Sequence, residues 1–385
     1  MFSFRRTAIL ALGCAWLMSA CGGGKPSTAG AAPGAAPEST GAPDTGKVLN
    51  LYIWSDYLAP NALADFEKQT GIKVHVSYFD TNETLETRLL AGHSGFDVVV
   101  PTASYFERQI RAGVYLGLDK AKLPNLKNMD AQLMSRVALH DPDNAHGVIY
   151  TWGTDGIGYN EAMIKALVPD APLDSWRLVF DPAVARTIAK CGISVLDSPA
   201  EMVRMVLSYL GRDPNSQKPE DLAAAEATMT KIRPYIRNIN SSEYIEALAN
   251  GDICVAVGYN GDVLQARDRA RDANKGIEIK YIVPKEGSIL WFDMLAVPKD
   301  APDPGSAYAF LNYMMMPQVS ADVSDFRRYA TGNGAAQPLV QAAVRDDPGI
   351  YPPPSLRQKL AVQLADSPDQ TRAITRVWQK FKTGQ

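Results

Sequence analysis

Three short stretches set an aromatic residue close to a carboxylate: Trp54-Ser55-Asp56-Tyr57, Tyr259-Asn260-Gly261-Asp262 and Trp291-Phe292-Asp293. The chemistry such pairs offer is capture of an organic cation. A carboxylate holds a primary or secondary ammonium through charge-assisted hydrogen bonds, while ring faces cover the methylenes between nitrogens. Each cation–π contact contributes roughly 0.5–2 kcal/mol, more as water is excluded. A long diamine needs acids at both ends and rings between them. One pair alone reads equally well as packed aromatics beside a helix-capping acid. Three of them at strand ends favour a site.

Signatures of catalysis are missing. The chain has no Gly-x-Ser-x-Gly elbow, no Walker loop and no dinucleotide glycine fingerprint after a strand. His75, His93, His140 and His146 never fall at metal-ligand spacing. Carboxylates are plentiful, but spacing singles none out as half of a glycosidase-like pair. A binding protein without cofactor or metal is expected, not an enzyme.

The elements that must position these groups alternate strand with helix. Leu49, Leu51 and Ile53 alternate with Asn50 and Tyr52 in a strand that stops at the Trp54 cluster. A helix is expected from about Pro60, with Leu63 and Phe66 on its apolar stripe. Residues 73–79 alternate as a strand, 82–91 read as helix and 96–101 as a buried strand, after which Thr102 and Ser104 present hydroxyls. Helices between strands imply parallel βαβ units, and open α/β sheets bind ligands beyond the carboxyl ends of their strands. Residues 147–152 and 156–160 read as an extended apolar segment with glycines, a crossing between lobes, and 277–283 as the second crossing. Two crossings describe two α/β lobes, one inserted into the other, around a cleft. The tail beyond residue 354 reads as helix. Glu201 lies in Ser198-Pro199-Ala200-Glu201, whose spacing also suits a capping box.

Arg5 and Arg6, an apolar run and small residues ending at Cys21 make an export signal over residues 1–21. Its apolar run of about 12 residues falls short of the roughly 20 that a membrane span requires. Met18-Ser19-Ala20-Cys21 is similar to a bacterial lipobox, with Met18 where Leu is usual. Lipidation of Cys21 is therefore expected, the alternative being ordinary cleavage that frees the product. Residues 22–46 are almost all Gly, Ala, Pro, Ser and Thr and read as a flexible tether. The remaining body suffices for two domains of about 150 residues each. With Arg5 and Arg6 removed, 37 basic residues face 42 acidic ones, which argues against nucleic acid or anionic lipid as a partner. Cys191 and Cys254 are the body's cysteines; in an exported protein they favour a disulfide over a pair of buried free thiols.

The chain resembles the periplasmic polyamine-binding proteins of spermidine/putrescine ABC transporters. The resemblance is carried by Ile53-Trp54-Ser55-Asp56-Tyr57, Gly95-Phe96-Asp97-Val98-Val99-Val100-Pro101 and Gly156-Ile157-Gly158-Tyr159-Asn160. Asn250-Gly251-Asp252-Ile253-Cys254 and Pro348-Gly349-Ile350-Tyr351-Pro352-Pro353 continue it in order. It implies the class II periplasmic-binding-protein fold, with residues 47–150 and 287–329 in lobe 1 and 151–286 and 330–385 in lobe 2. It implies a monomer that captures a polyamine and delivers it to ABC permease membrane subunits, touching the membrane only through a lipid anchor.

Carried over position by position, the resemblance casts Trp54 and Tyr57 as an aromatic box, with Ser55 beside them and Asp56 as an acid of the same motif. Thr102 stands where the family often has a Ser contacting an amine. Glu201, Asp262 and Asp293 match amine-binding carboxylates, Tyr259 a position that is often Trp, and Tyr329 an aromatic of the cleft. Trp291 stands where putrescine-preferring members tend to carry Phe and spermidine-preferring members Trp, which tilts the expectation toward spermidine or dual recognition. The resemblance also implies a Cys191–Cys254 bond. The competing readings are a receptor for another cationic solute and a polyamine-sensing signalling module.

Overall fold

The computed structural model describes residues 47–55 and 57–384; the leader, the tether, Cys21 and Asp56 lie outside the described residues. Eleven strands are described: β1 (Val48–Trp54), β2 (Lys73–Phe79), β3 (Val98–Val99), β4 (Gly147–Asn160), β5 (Ile193–Val195) and β6 (Asn238–Ile239), then β7 (Val255–Tyr259), β8 (Ile279–Ile282), β9 (Ser288–Ala296), β10 (Ala330–Thr331) and β11 (Leu360–Val362). Their order is β2-β1-β3-β9-β4-β7-β5-β6, with β8 and β10 on β4 and β11 on β9.

The chain begins with the expected βαβ units. β1 runs parallel to both β2 and β3, with helices Ala62–Thr70 and Asn82–Leu90 as crossovers. The first of these helices starts after Pro60 and ends where Gly71 turns left-handed at φ 71°. Its stripe drives Phe66 against Phe310 and Tyr313 of helix Pro304–Met314, at ring separations of 5.2 and 5.3 Å. Burying a phenylalanine this completely contributes about 2–3 kcal/mol.

β4 joins the two halves of the molecule. Residues 147–154 pair antiparallel with β9, and residues 155–160 pair with β7 and β8. Residues 153–155, left out of the extended reading, belong to it too: β4 is one strand of 14 residues, buried from end to end. Its glycines do not break it because backbone pairing continues on both edges. Beyond it, β7, β5 and β6 form a second parallel group. A disulfide joins Cys191, ahead of β5, to Cys254, ahead of β7, with Cα atoms 5.5 Å apart. The residues it brackets, 63 apart in sequence, make the bond worth about 4 kcal/mol on a loop-entropy account.

The tail departs from expectation in one place, because residues 360–362 form β11, parallel to the start of β9. Helix Pro368–Thr383 then docks on the second strand group, where the Trp378 indole N–H donates to Asp197 at 2.9 Å. Among the described residues no helix is long and apolar enough to cross a membrane.

Candidate functional site

The candidate site is built on one face of β4. Thr151, Gly153 and Asp155 alternate onto that face, opposite Asp293, Trp291 and Tyr259 respectively. β9 thus supplies an acid and an indole, β7 a phenol. Gly153 is required here, because a Cβ at that position would overlap the Trp291 ring.

Asp293 anchors one end. It is buried, and both of its oxygens accept hydrogen bonds. The Tyr57 hydroxyl donates to Oδ2 and also lies 3.2 Å from Thr151 Oγ1, while Thr102 Oγ1 donates to Oδ1 at 2.7 Å. Thr102 is the N-cap residue of helix Ala103–Arg111, yet its hydroxyl makes no capping bond. Asn82 fixes it instead, donating to Oγ1 at 3.1 Å and accepting from its N–H at 3.0 Å. Burial pushes the Asp293 carboxyl up to about 6, although the Tyr57 and Thr102 donors and the Arg327 charge pull the other way.

Four rings run from this end to the other. Tyr57 and Tyr329 have centroids 6.1 Å apart, Tyr329 meets Trp291 edge-on at 4.9 Å, and Trp291 meets Tyr259 edge-on at 6.3 Å. Tyr329 reaches this row because helix Pro317–Arg327 stops at Arg328, whose φ of 58° reverses the chain. Gly261, lacking a Cβ, makes room for the Tyr329 ring. The Arg327 guanidinium lies over Tyr57 at 5.0 Å and Tyr329 at 5.6 Å, a resident cation on the same ring faces.

The far end carries two acids. Glu201 projects from the first turn of helix Pro199–Tyr209, and the Tyr259 hydroxyl donates to its Oε2 at 2.9 Å. The Ser198 side chain makes no capping bond to the backbone of the helix; its hydroxyl lies instead beside the Glu201 carboxylate and lowers it. Burial raises the Glu201 carboxyl. Beside it stands Asp155, fully buried, with neither oxygen hydrogen-bonded among the described residues. Burial, then the Glu201 charge, hold its carboxyl well above the ordinary range. The Trp291 indole N–H is close enough to lower that value, yet it too completes no hydrogen bond. Asp262 sits behind the row, accepting from Tyr244 at 2.9 Å and from Tyr329 at 3.3 Å, and burial raises its carboxyl as well.

Tyr57, Thr102, Glu201, Tyr259, Asp262, Trp291, Asp293 and Tyr329 therefore come together. Trp54 stands apart: its indole N–H donates to the Val100 carbonyl at 2.9 Å and its ring packs on Phe79 at 4.5 Å. Ser55 is exposed. Asp155, Tyr244 and Arg327 are members that sequence reasoning missed. For Asp155 the available signal was the alternation of Thr151, Gly153 and Asp155, hidden by leaving residues 153–155 out of the extended segment. A surface depression of about 590 Å³ bordered by Arg267, Arg271 and Glu278 lies away from this cluster, and its two guanidinium groups suit no cation.

Residues 61–352 match the family of bacterial extracellular solute-binding proteins. The chain is 50% identical over 340 residues to the putrescine-binding periplasmic protein SpuD of Pseudomonas aeruginosa and to the putrescine-binding periplasmic protein PotF of Escherichia coli. Each match covers 88% of this chain and 92% of the relative. A spermidine/putrescine-binding periplasmic protein of Salmonella typhimurium is 30% identical over 337 residues, 87% of this chain and 92% of that one. Among solved structures, the spermidine/putrescine ABC transporter substrate-binding protein PotD of Streptococcus pneumoniae superposes with a TM-score of 0.78 at 27% identity. That match covers 88% of this chain and 99% of the other. The resemblance carried by the motifs and the two-lobed fold it implied are borne out, and the chain belongs to the bacterial extracellular solute-binding proteins.

Proposed function

We propose that this protein captures a polyamine in the periplasm and hands it to the membrane subunits of an ABC permease. The observation that carries this reading is the row Tyr259–Trp291–Tyr329–Tyr57 with buried carboxylates at both ends. A linear polyamine has matching parts: charged nitrogens at its ends and apolar methylenes between. One terminal ammonium goes to Asp293, whose oxygens are already oriented by Tyr57 and Thr102. The other goes to Glu201, with Asp262 supporting the ring row from behind. Trp54, Ser55 and Asp56 belong to the same motif as Tyr57.

In this reading residues 47–150 with 287–329 form one lobe and 151–286 with 330–385 the other, hinged where β4 changes partners. The protein works as a monomer without catalysis, tethered through a lipidated Cys21 by the 22–46 linker. Calorimetric titration of the refolded, ligand-stripped chain with putrescine, cadaverine and spermidine tests the reading. Saturable binding and a higher melting temperature are expected, since a ligand that binds only the folded state stabilises it. Absence of heat and of stabilisation with all three would overturn it, and so would recovery of a chemically altered ligand.

A further inference from the structure

Asp155 is the group that the capture of a simple diamine leaves unused. Its side chain is fully buried and neither oxygen has a hydrogen-bond partner among the described residues. Ionised, a buried carboxylate in that state is costly unless a cation or hydrogen bonds complete it. Its position is set by register: it is the cross-strand partner of Tyr259, whose hydroxyl is bound to Glu201. Two residues back, Gly153 faces Trp291, whose indole N–H is likewise unpartnered. Asp155 therefore shares one face with the ring row and with Glu201.

Charge points the same way. Arg327 acts on Asp262 and Asp293, Arg269 also on Asp262, and Arg204 on Glu201, whereas no basic side chain lowers Asp155. Asp155 is thus the one acid of the four without a resident positive charge beside it. Ionised, such a group is unfavourable in a medium of low polarity until a cation joins it.

We infer that Asp155 is a ligand-binding carboxylate that takes the second nitrogen at the Glu201 end, so that this site accepts a triamine with a secondary ammonium beside its terminal one. The inference assumes the polyamine reading and sharpens it. Spermidine is the triamine probe and putrescine the diamine control.

The experiment compares Asp155→Asn, nearly isosteric, with the unaltered full chain by calorimetric titration after ligand stripping. Spermidine affinity is expected to fall at least tenfold and putrescine affinity less than threefold. The ligand-free variant is expected to melt at least about 2 °C higher, because an unpaired buried charge has been removed. Asp155→Glu, which keeps the charge, is expected to retain more spermidine affinity than Asp155→Asn. Equal losses for both ligands, no loss for either, or a lowered ligand-free melting temperature would each overturn the assignment. If the unaltered chain binds neither ligand, the polyamine reading itself fails, which is a distinguishable result.

Discussion

The two ends of the site treat their carboxylates differently. Asp293 is held by neutral donors, Tyr57 on one oxygen and Thr102 on the other, with Asn82 locking Thr102 from behind. Asp155, 0% exposed, has no such support, while Glu201 beside it has the Tyr259 phenol and the Ser198 hydroxyl. The contrast separates two ways of making an anionic subsite. At the Asp293 end geometry is settled before any cation arrives, so an arriving ammonium meets fixed acceptors and little ordering is left to do. At the Asp155 end electrostatic demand is left open, so the cation itself completes the structure.

The strongest way to break this comparison is Asp293→Asn. Removing one partner of a buried, hydrogen-bonded ion pair costs about 3–5 kcal/mol, so putrescine affinity should fall more than about 100-fold in a calorimetric titration. A loss below tenfold would mean that the pre-organised end does not carry the diamine.

The pH dependence follows from the same residue. Because burial raises Asp293 to about 6, it is the neutral acid that the ligand-free fold favours. Ligand-free stability from this group is therefore greatest below the ordinary carboxylate range and is lost as pH rises through about 6. Binding runs opposite, since an ammonium needs the ionised form: putrescine affinity should fall up to about tenfold per pH unit below about 6. Affinity that stays flat between pH 5 and 7 would show that the Asp293 proton is not linked to the ligand.

Tyr57→Phe should cost about tenfold, the worth of one hydrogen bond to a charged group. It should also move the midpoint of the pH profile upward, since the lost donor had lowered the Asp293 value. A smaller effect of opposite sign is expected from Arg327→Ala. The guanidinium occupies the Tyr57 and Tyr329 faces and repels a second cation, so its removal should tighten putrescine binding about threefold. Weaker binding in that variant would make Arg327 a packing element of the row and not a competitor for it.

Legibility of the fold and site tracked the strength of local pattern. β1, β2 and their crossover helices were readable because alternation and helical stripes are local signals, and Gly71 marks its helix end. Eight of the expected site residues, from Tyr57 to Tyr329, lie in the cluster, since aromatic–acid pairs at strand ends leave a trace in sequence. Asp155 left none. Flanked by Thr154 and Gly156, it fell outside the extended segment, and only pairing on both edges makes it part of the strand. Arg327 was invisible for another reason: it ends a helix and meets the Tyr57 ring, far away in sequence, only in the folded chain. Trp54 carried the right residue type, but its N–H is spent on Val100. Side-chain direction at a strand end is a tertiary outcome that residue order does not encode locally.

β4 has one more consequence. Thr151 and Asp155, which mark the two ends of the site, belong to the same unbroken strand, so loop movement leaves their separation alone even though the strand changes partners between them. Four residues of extended chain set it at about 13 Å. The strand is in effect a ruler against which the length of a linear cation is measured. Its graduations come only in steps of two residues, because a shift of one would turn every side chain to the other face. Relatives could retune the preferred length only by exchanging side chains along this scale, never by sliding it.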